Sequence, residues 1–249
     1  MLKRLVFICL MMSSILLSAK SDSLHFFMPY FGVSGHLPGG DMAQRFGWDA
    51  MVSAGIQYKT KTNYLLGISY NYLFGTNVKI EEELFSNIKT DQGFIIDNSG
   101  SYGFVSIFES GEFYALQLGK IFPIDTKNAN AGLYFSLNPG FLMHHIRIRV
   151  EDNNIPALNG DYRKGYDRLS AGFGISEQFG YFHIDEERNI ANYFIAIEML
   201  QAWTKPKRKV NFDTMKPDKV QNRLDLLFGI KIGWMLPIRR NELKDYYYH

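Results

Sequence analysis

Two adjacent histidines, His144 and His145, are the residues of this sequence best suited to proton transfer near neutral pH. A histidine placed with a serine and an acid forms the catalytic group of many hydrolases. Because neighbouring side chains of a strand face opposite sides, at most one of the two can point inward, beside Glu198 or Ser136. No motif ties either histidine to a particular serine. An enzyme that uses His144 or His145 is therefore an alternative, and interfacial or loop histidines are the simpler interpretation.

The sequence offers no recognisable metal site. The other four histidines are scattered, without the spacing that zinc ligands show. The single cysteine, Cys9, lies in an apolar run that we assign to a signal peptide, so the mature chain would contain no thiol. We therefore expect no metal and no other cofactor. The four histidines are His25, His36, His183 and His249.

The N-terminal segment is typical of a signal peptide. Two cations precede an apolar run over residues 5–17, and small residues follow it. The run is shorter than the roughly 20 residues of a membrane-spanning helix. We assign residues 1–20 to the signal peptide, with cleavage after about Ala19 or Ser21. A lipoprotein anchored at Cys9 is the weaker alternative, because the apolar run continues past the cysteine.

The composition indicates strands in an exported protein. The net charge of +2 is too small to indicate nucleic-acid binding. Aromatic residues make up 15% of the chain, and no segment after the signal peptide is apolar for long enough to form a membrane helix. We therefore expect one domain over residues 21–238, followed by a tail over residues 239–249.

Period-two alternation of apolar and small or polar residues is the strongest structural signal. Residues 64–74 show it best: one face is apolar with aromatic ends, and the other is polar or small except for Leu65 and Leu73. Residues 48–58 alternate in the same way, and the short polar link to residue 64 predicts a hairpin. Residues 224–234 place one lysine among apolar neighbours, which makes sense if it points into a lumen.

Five weaker segments bring the predicted number of strands to eight. In one of them the alternation loses phase near Ser110 and Gly111, and we interpret this as a β-bulge. Helical signals are confined to predicted loops, such as residues 81–88. The five segments are residues 26–35, 101–122, 132–148, 169–183 and 192–203.

The lengths of the predicted links alternate between short and long. Outer-membrane barrels place short turns in the periplasm and long loops outside the cell, so the pattern predicts an orientation with both termini in the periplasm. The short links are residues 59–63, 123–131 and 185–191. The long links are residues 36–47, 76–100, 149–168 and 204–222.

The pattern of strands and links resembles that of small eight-stranded outer-membrane proteins, with OmpA-like and OmpX-like membrane domains as the nearest broad comparison. The resemblance implies an all-β fold, an antiparallel eight-stranded transmembrane β-barrel with long external loops, in the outer membrane of a Gram-negative cell. The chain departs from it where Trp234 is followed by a polar tail instead of ending the chain. A soluble exported sandwich or lipocalin-like barrel, which also alternates, is the alternative fold.

Several inward positions of the predicted barrel carry polar side chains. An eight-stranded barrel is too narrow for an open pore, so we expect these residues to pair and fill the lumen, with a catalytic or conducting role as the alternative. They are Asp49, Gln57, Gln117, Asn138, Glu198 and Lys231.

Two further segments are candidate contact surfaces. The last long loop is basic, which suits the phosphates of lipopolysaccharide or simply keeps the loop solvated. The tail ends in three tyrosines, which suit a periplasmic docking peptide, an interfacial anchor or a disordered end. The basic residues are Lys205, Lys207, Arg208, Lys209, Lys216, Lys219 and Arg223, and the tyrosines are Tyr246, Tyr247 and Tyr248.

Three hypotheses about function follow from the sequence. The first is a non-catalytic integral outer-membrane protein, an accessory or scaffold subunit of a secretion or assembly machine, in contact with outer-membrane lipid, lipopolysaccharide and other envelope proteins. The second is an enzyme that modifies lipid A or phospholipid. The third is a soluble periplasmic ligand carrier. None of them involves nucleic acid.

Overall fold

The computed structural model describes residues 24–124, 128–151, 154–185, 192–216 and 222–238. The predicted signal peptide and the predicted tail, with Tyr246, Tyr247 and Tyr248, lie outside the described residues, as does Lys219.

Nine antiparallel strands form one sheet, and eight of them close into a barrel because β1 pairs with both β2 and β9. The prediction of an all-β, eight-stranded antiparallel barrel is confirmed. The additional strand, β4, has two residues and pairs with the end of β5, and its Ile95 also forms an isolated bridge with Lys89. The strands are β1 (Phe26–Gly40), β2 (Asp49–Lys59), β3 (Tyr64–Gly75), β4 (Ile95–Ile96), β5 (Tyr102–Pro123), β6 (Gly132–Glu151), β7 (Ser170–His183), β8 (Tyr193–Pro206) and β9 (Arg223–Met235).

The strands are inclined to the barrel axis. Following directly paired residues once around the barrel from Phe27 leads back to β1 at Leu37, ten residues further along the strand. An offset of this size in an eight-stranded barrel corresponds to a tilt of roughly 40°. The path is Phe27, Tyr58, Leu66, Leu118, Leu137, Glu177, Met199, Phe228 and Leu37.

Short links join the strands at one end of the barrel, here called the turn end, and long links join them at the other, the loop end. The short links are residues 60–63, 124–131 and 184–192, and the long links are residues 41–48, 76–101, 152–169 and 207–222. Within the described residues no helix has the length and apolar character needed to cross a bilayer.

The outer wall carries an apolar band bounded by aromatic side chains. Large apolar residues are exposed there, such as Ile197 at 67% and Phe31 at 63%, while inward neighbours of the same strands are buried. A soluble barrel has the opposite arrangement, so the outer wall is that of a membrane-spanning barrel. Aromatic residues at the turn end are Phe27, Tyr64, Tyr193 and Trp234; those nearer the loop end are Trp48, Phe74, Phe173 and Trp203.

The interior has two apolar clusters separated by polar side chains. The cluster at the turn end includes Tyr30, Leu65 and Phe194. The cluster at the loop end joins strand residues such as Leu73 to loop residues such as Phe85. The two apolar exceptions to the sequence alternation, Leu65 and Leu73, thus each belong to one of these clusters.

The long links form a cap over the loop end. Their described residues contain one helical turn, Glu81–Leu84, within the segment with helical signals, and three short 3-10 turns. Their buried side chains complete the apolar cluster at the loop end because they pack over the barrel mouth. Those side chains are Met42, Phe46, Leu84, Phe85, Ile155, Leu158 and Tyr166.

The predicted bulge is wrong. The register of β5 against β6 is unbroken at that point, with Ser110 opposite His145 and Gly111 opposite His144. The phase loss in the sequence has another cause: β5 continues beyond the apolar band. There the outward residues become polar, as at Ser110, and inward residues become apolar, as at Ile107, which is buried in the loop-end cluster.

Three predicted long links begin too early, because strands extend further toward the loop end than their alternation suggested. β1 continues to Gly40, β6 to Glu151 and β8 to Pro206. His36, predicted to begin a loop, lies instead in β1 and is 4% exposed.

Candidate functional site

The six polar residues predicted to face the lumen are all inward and buried, none more than 8% exposed. The structure brings four of them into one network around Glu198 and leaves the other two in a smaller contact. They are Asp49, Gln57, Gln117, Asn138, Glu198 and Lys231.

Glu198, on β8, is the centre of the lumen network. Its Oε1 accepts hydrogen bonds from Ser176 Oγ at 2.9 Å and from Gln178 Nε2 at 2.8 Å. The same oxygen lies 3.4 Å from Lys231 Nζ, and Oε2 lies 3.3 Å from His36 Nε2. A carboxylate with four polar partners compensates for the solvation that it loses on burial.

His36 joins a second carboxylate to this network. Its Nδ1 lies 2.9 Å from Asp49 Oδ1, so the imidazole bridges Asp49 and Glu198. Lys231 also donates to Asn71 Oδ1 at 3.1 Å. The bridging histidine was not predicted, because His36 was assigned to a loop.

Asn138 is connected to the same network through two intermediate side chains. It donates to Ser136 Oγ at 3.3 Å, and Ser136 donates at 3.4 Å to Oε1 of Gln178, which contacts Glu198. The other two predicted residues contact each other. Gln57 donates to Gln117 Oε1 at 3.2 Å, and Gln117 donates to the hydroxyl of Tyr30 at 2.7 Å.

A second buried polar cluster lies closer to the loop end, around Asp225. Arg45 donates to Oδ1 at 2.9 Å, while His144 Nε2 at 3.0 Å and Thr204 Oγ1 at 2.5 Å contact Oδ2. His144 is fully buried and faces inward, but it contacts Asp225 instead of the predicted Glu198 or Ser136. On β6, His144 lies eight residues beyond Ser136 toward the loop end. His144 is therefore part of the barrel interior and has no access to lipid.

His145 faces the opposite way, onto the outer wall. It lines a shallow cavity of about 190 Å³ together with Ser110, Glu112, Asp167 and Arg208. Ser110 is directly opposite His145 on the neighbouring strand. Among the described residues, the hydroxyl of Ser110 contacts the hydroxyl of Tyr72 at 3.1 Å and makes no hydrogen bond to the imidazole.

Arg208 is held by a carboxylate instead of being free for a ligand. Its Nε donates to Asp167 Oδ1 at 2.9 Å, and its NH2 contacts Oδ2. This pairing raises the pKa of Arg208. The two residues form one wall of the cavity beside His145.

The basic residues of the last loop divide into paired and exposed groups. Arg208 pairs with Asp167, and Arg223 donates to Ser170 Oγ at 3.1 Å. Lys205 is exposed on β8, one outward position beyond Trp203. The other exposed lysines of the group are Lys207, Lys209 and Lys216.

An oblique groove of about 910 Å³ crosses the apolar band on the outer wall. Small residues such as Ala54 and Pro139 form its floor, and Phe31, Ile56 and Leu116 line it. Its apolar lining suits the hydrocarbon chains of surrounding lipid. In the part of the chain that the structure describes, no group of three or more His, Cys, Asp or Glu side chains is arranged to hold a metal ion.

No protein-family model matches the sequence, and no curated protein is similar to it in sequence. Solved structures of small outer-membrane barrels are similar to this chain. Ail, the attachment invasion locus protein of Yersinia pestis, in complex with the heparin analogue sucrose octasulfate, is 9% identical with a TM-score of 0.39, covering 86% of this chain and 100% of Ail. Neisserial surface protein A is 9% identical with a TM-score of 0.38, covering 85% and 99% of the two chains. OprG from Pseudomonas aeruginosa is 10% identical with a TM-score of 0.40, covering 87% and 97%.

Replacing Lys231 by methionine should destabilise the barrel, because Glu198 then stays buried without its cation. We expect the free energy of unfolding in detergent to fall by about 3–5 kcal/mol. Urea titration followed by tryptophan fluorescence measures the change. The double variant Lys231→Met, Glu198→Gln should recover part of the loss, and equal stability of Lys231→Met and the unmodified protein would contradict the role of this pair.

Proposed function

We propose that this chain is an integral outer-membrane protein with its loop end outside the cell and both termini in the periplasm. The apolar band with aromatic edges supports membrane insertion, and the contrast between short and long links supports the orientation. Strand pairing that closes on itself leaves no unpaired edge in the hydrocarbon.

We further propose that it acts by contact, as a non-catalytic accessory or scaffold subunit of an envelope complex such as a secretion or assembly machine. The observation that carries this proposal is the filled interior: polar side chains occupy the middle, and an apolar cluster lies at each end. Within the described residues these side chains leave the lumen filled, which favours a function on the surface of the barrel.

The surface available for contact is large at the loop end. β5 and β6, with 22 and 20 residues, project beyond the apolar band, and the long links pack on them as a cap. Because the cap has its own apolar core, it presents a fixed surface instead of a set of mobile loops. A fixed surface loses less conformational entropy when it binds a partner. The predicted docking peptide in residues 239–249 would provide a second contact in the periplasm.

Extraction of the tagged protein from purified outer membranes in mild detergent, followed by native mass measurement, tests the proposed subunit role. We expect at least one other envelope protein in stoichiometric amount, and removal of residues 239–249 should release a partner held on the periplasmic side. A barrel that carries no other protein, in full-length and truncated form alike, would contradict the accessory role.

Lipopolysaccharide is the proposed lipid partner at the loop end. Lys205 lies one outward position beyond Trp203, where the aromatic edge of the band meets the headgroup region. Lys207 and Lys209 follow it on the same exposed segment. Exposed lysines close together attract the phosphates of lipid A, and salt screens this attraction.

Replacing Lys205 and Lys209 by glutamine should weaken lipopolysaccharide binding and reduce its dependence on salt. The matched control replaces Lys61 and Lys120, two cations near the turn end, and should leave binding unchanged. Titration of lipopolysaccharide into the detergent-solubilised barrel at low and high salt measures both effects; we expect a loss of roughly three- to tenfold at low salt. Equal losses in the two double variants would contradict a specific basic surface.

A second candidate function is modification of lipid A or phospholipid. One observation favours it: Ser110 and His145 are opposite each other on the outer wall, beside Glu112 and at the edge of the apolar band where lipid esters lie. Catalysis would require the hydroxyl of Ser110 to leave Tyr72 and donate to the imidazole, which then acts as the base.

Alanine variants of Ser110 and His145 test this candidate. If the chain is an enzyme, either variant should leave the substrate lipid unmodified, as seen by mass spectrometry of envelope lipids from cells with and without the gene. Ser106→Ala, an outward serine of the same strand, is the matched control. Identical lipid profiles in all strains would exclude the lipid-modifying role.

A further inference from the structure

Glu109, on β5, is an acid enclosed in the barrel interior beneath the cap. Its side chain faces inward, next to Ile107 of the loop-end cluster, and the residue is 1% exposed. Neither of its carboxyl oxygens has a hydrogen-bond partner among the described residues. An ionised carboxylate in such a place loses its hydration without gaining other contacts, which is strongly destabilising. A positive charge or a proton must therefore neutralise Glu109.

The cations of the two polar clusters each contact an acid other than Glu109. Arg45, from the cap link at residues 41–48, donates to Asp225 Oδ1 at 2.9 Å. Its charge acts on Glu109, yet no hydrogen bond joins the two side chains. Within the part of the chain that the structure describes, Glu109 is thus a buried acid without a counter-ion. The other cations are His36 and Lys231, and their acids are Asp49 and Glu198.

Asp49, on β2, makes the position of Glu109 still less favourable for a negative charge. Gly75 of β3 pairs with Glu109 and has no side chain to separate it from Asp49. A Cβ added at Gly75 would lie 3.1 Å from Oε2 of Glu109 and 3.3 Å from Cβ of Asp49. Two carboxyl groups on either side of one glycine favour the protonated form of one of them. Asp49 contacts His36, so the proton belongs on Glu109.

The ionisable groups around Glu109 come from four elements, and two of these groups are acids. His144 does not neutralise Glu109, because its Nε2 contacts Asp225 at 3.0 Å and its Nδ1 has no partner among the described residues. A proton on Glu109 removes the charge without any new partner. The four groups are Arg45 of the cap, Asp49 of β2, His144 of β6 and Asp225 of β9.

We propose that Glu109 is a neutral carboxylic acid while the cap is closed, and that loss of its proton to water opens the cap. The ionised carboxylate requires water or the guanidinium of Arg45, and either one reaches it only if residues 41–48 move. Met42 and Phe46 of that link belong to the loop-end cluster, so the movement separates the apolar core of the cap from the barrel mouth. This pH dependence is a property of the barrel alone, whatever partner binds its cap.

The direction of the pH dependence follows from the two states of Glu109. The carboxyl group keeps its proton in the closed state and releases it readily once water reaches it in the open state. Raising the pH therefore favours the open state, by at most about tenfold in the opening equilibrium for each pH unit. Lowering the pH favours the closed cap.

The labelling rate of a buried cap thiol tests the proposal. In a Cys9→Ser background, Leu84→Cys places the thiol in the apolar core of the cap, and Met215→Cys places the reference thiol on an exposed link. We expect the rate at position 84 with a water-soluble maleimide, divided by the rate at position 215 at the same pH, to rise about fivefold or more between about pH 6 and pH 9. Glu109→Gln should remove this rise, because an amide cannot ionise. Heat-dependent migration in gels checks that each variant is folded.

Unfolding in urea provides a second readout without an engineered thiol. We expect the unmodified protein to lose stability relative to Glu109→Gln as the pH rises over the same range, because all other titratable groups are common to both. The matched control Glu151→Gln, an exposed acid of β6, should follow the unmodified protein. Equal pH dependence of the unmodified protein and Glu109→Gln would overturn the proposal. A difference in urea without a difference in labelling would equally overturn it, since Glu109 would then be neutral without controlling the cap.

Discussion

The closure of the sheet is the constraint on which the rest of the structure depends. A bilayer offers no hydrogen bonds to the backbone, so every N–H and C=O group in the apolar band must pair within the sheet. Eight strands with an offset of ten residues satisfy this requirement and fix the tilt. The tilt and the register then decide which side chains meet inside the narrow lumen, where Glu198 contacts partners from three other strands.

Much of the fold can be predicted from the sequence. Wherever one face of a strand meets lipid, apolar residues alternate with polar or small residues, and this alternation distinguishes the two faces. The number of strands, their order and the inward position of residues such as Lys231 follow from that alternation. The prediction weakens where the strands leave the band. There polar residues face outward and apolar residues face inward. The sequence alternation near Ser110 is therefore inverted, although the pairing of the strand continues without a break.

The candidate sites were less predictable because they depend on register. No local pattern shows that His36 bridges two carboxylates or that Ser110 is opposite His145. The location of a single acidic residue in an alternating segment is ambiguous, because such a residue occurs in loops, at interfaces and in the lumen of a barrel. Only the pairing of each strand with both neighbours gives such a residue its depth and its direction.

The cap at the loop end has a consequence for the lifetime of the inserted protein. Its side chains, among them Phe46, Leu84 and Phe85, come from different long links and are buried together over the barrel mouth. In the proposed orientation, withdrawing the barrel would first require pulling this apolar core apart in water. The residence time of the protein in the membrane would then depend on the rate at which the cap opens.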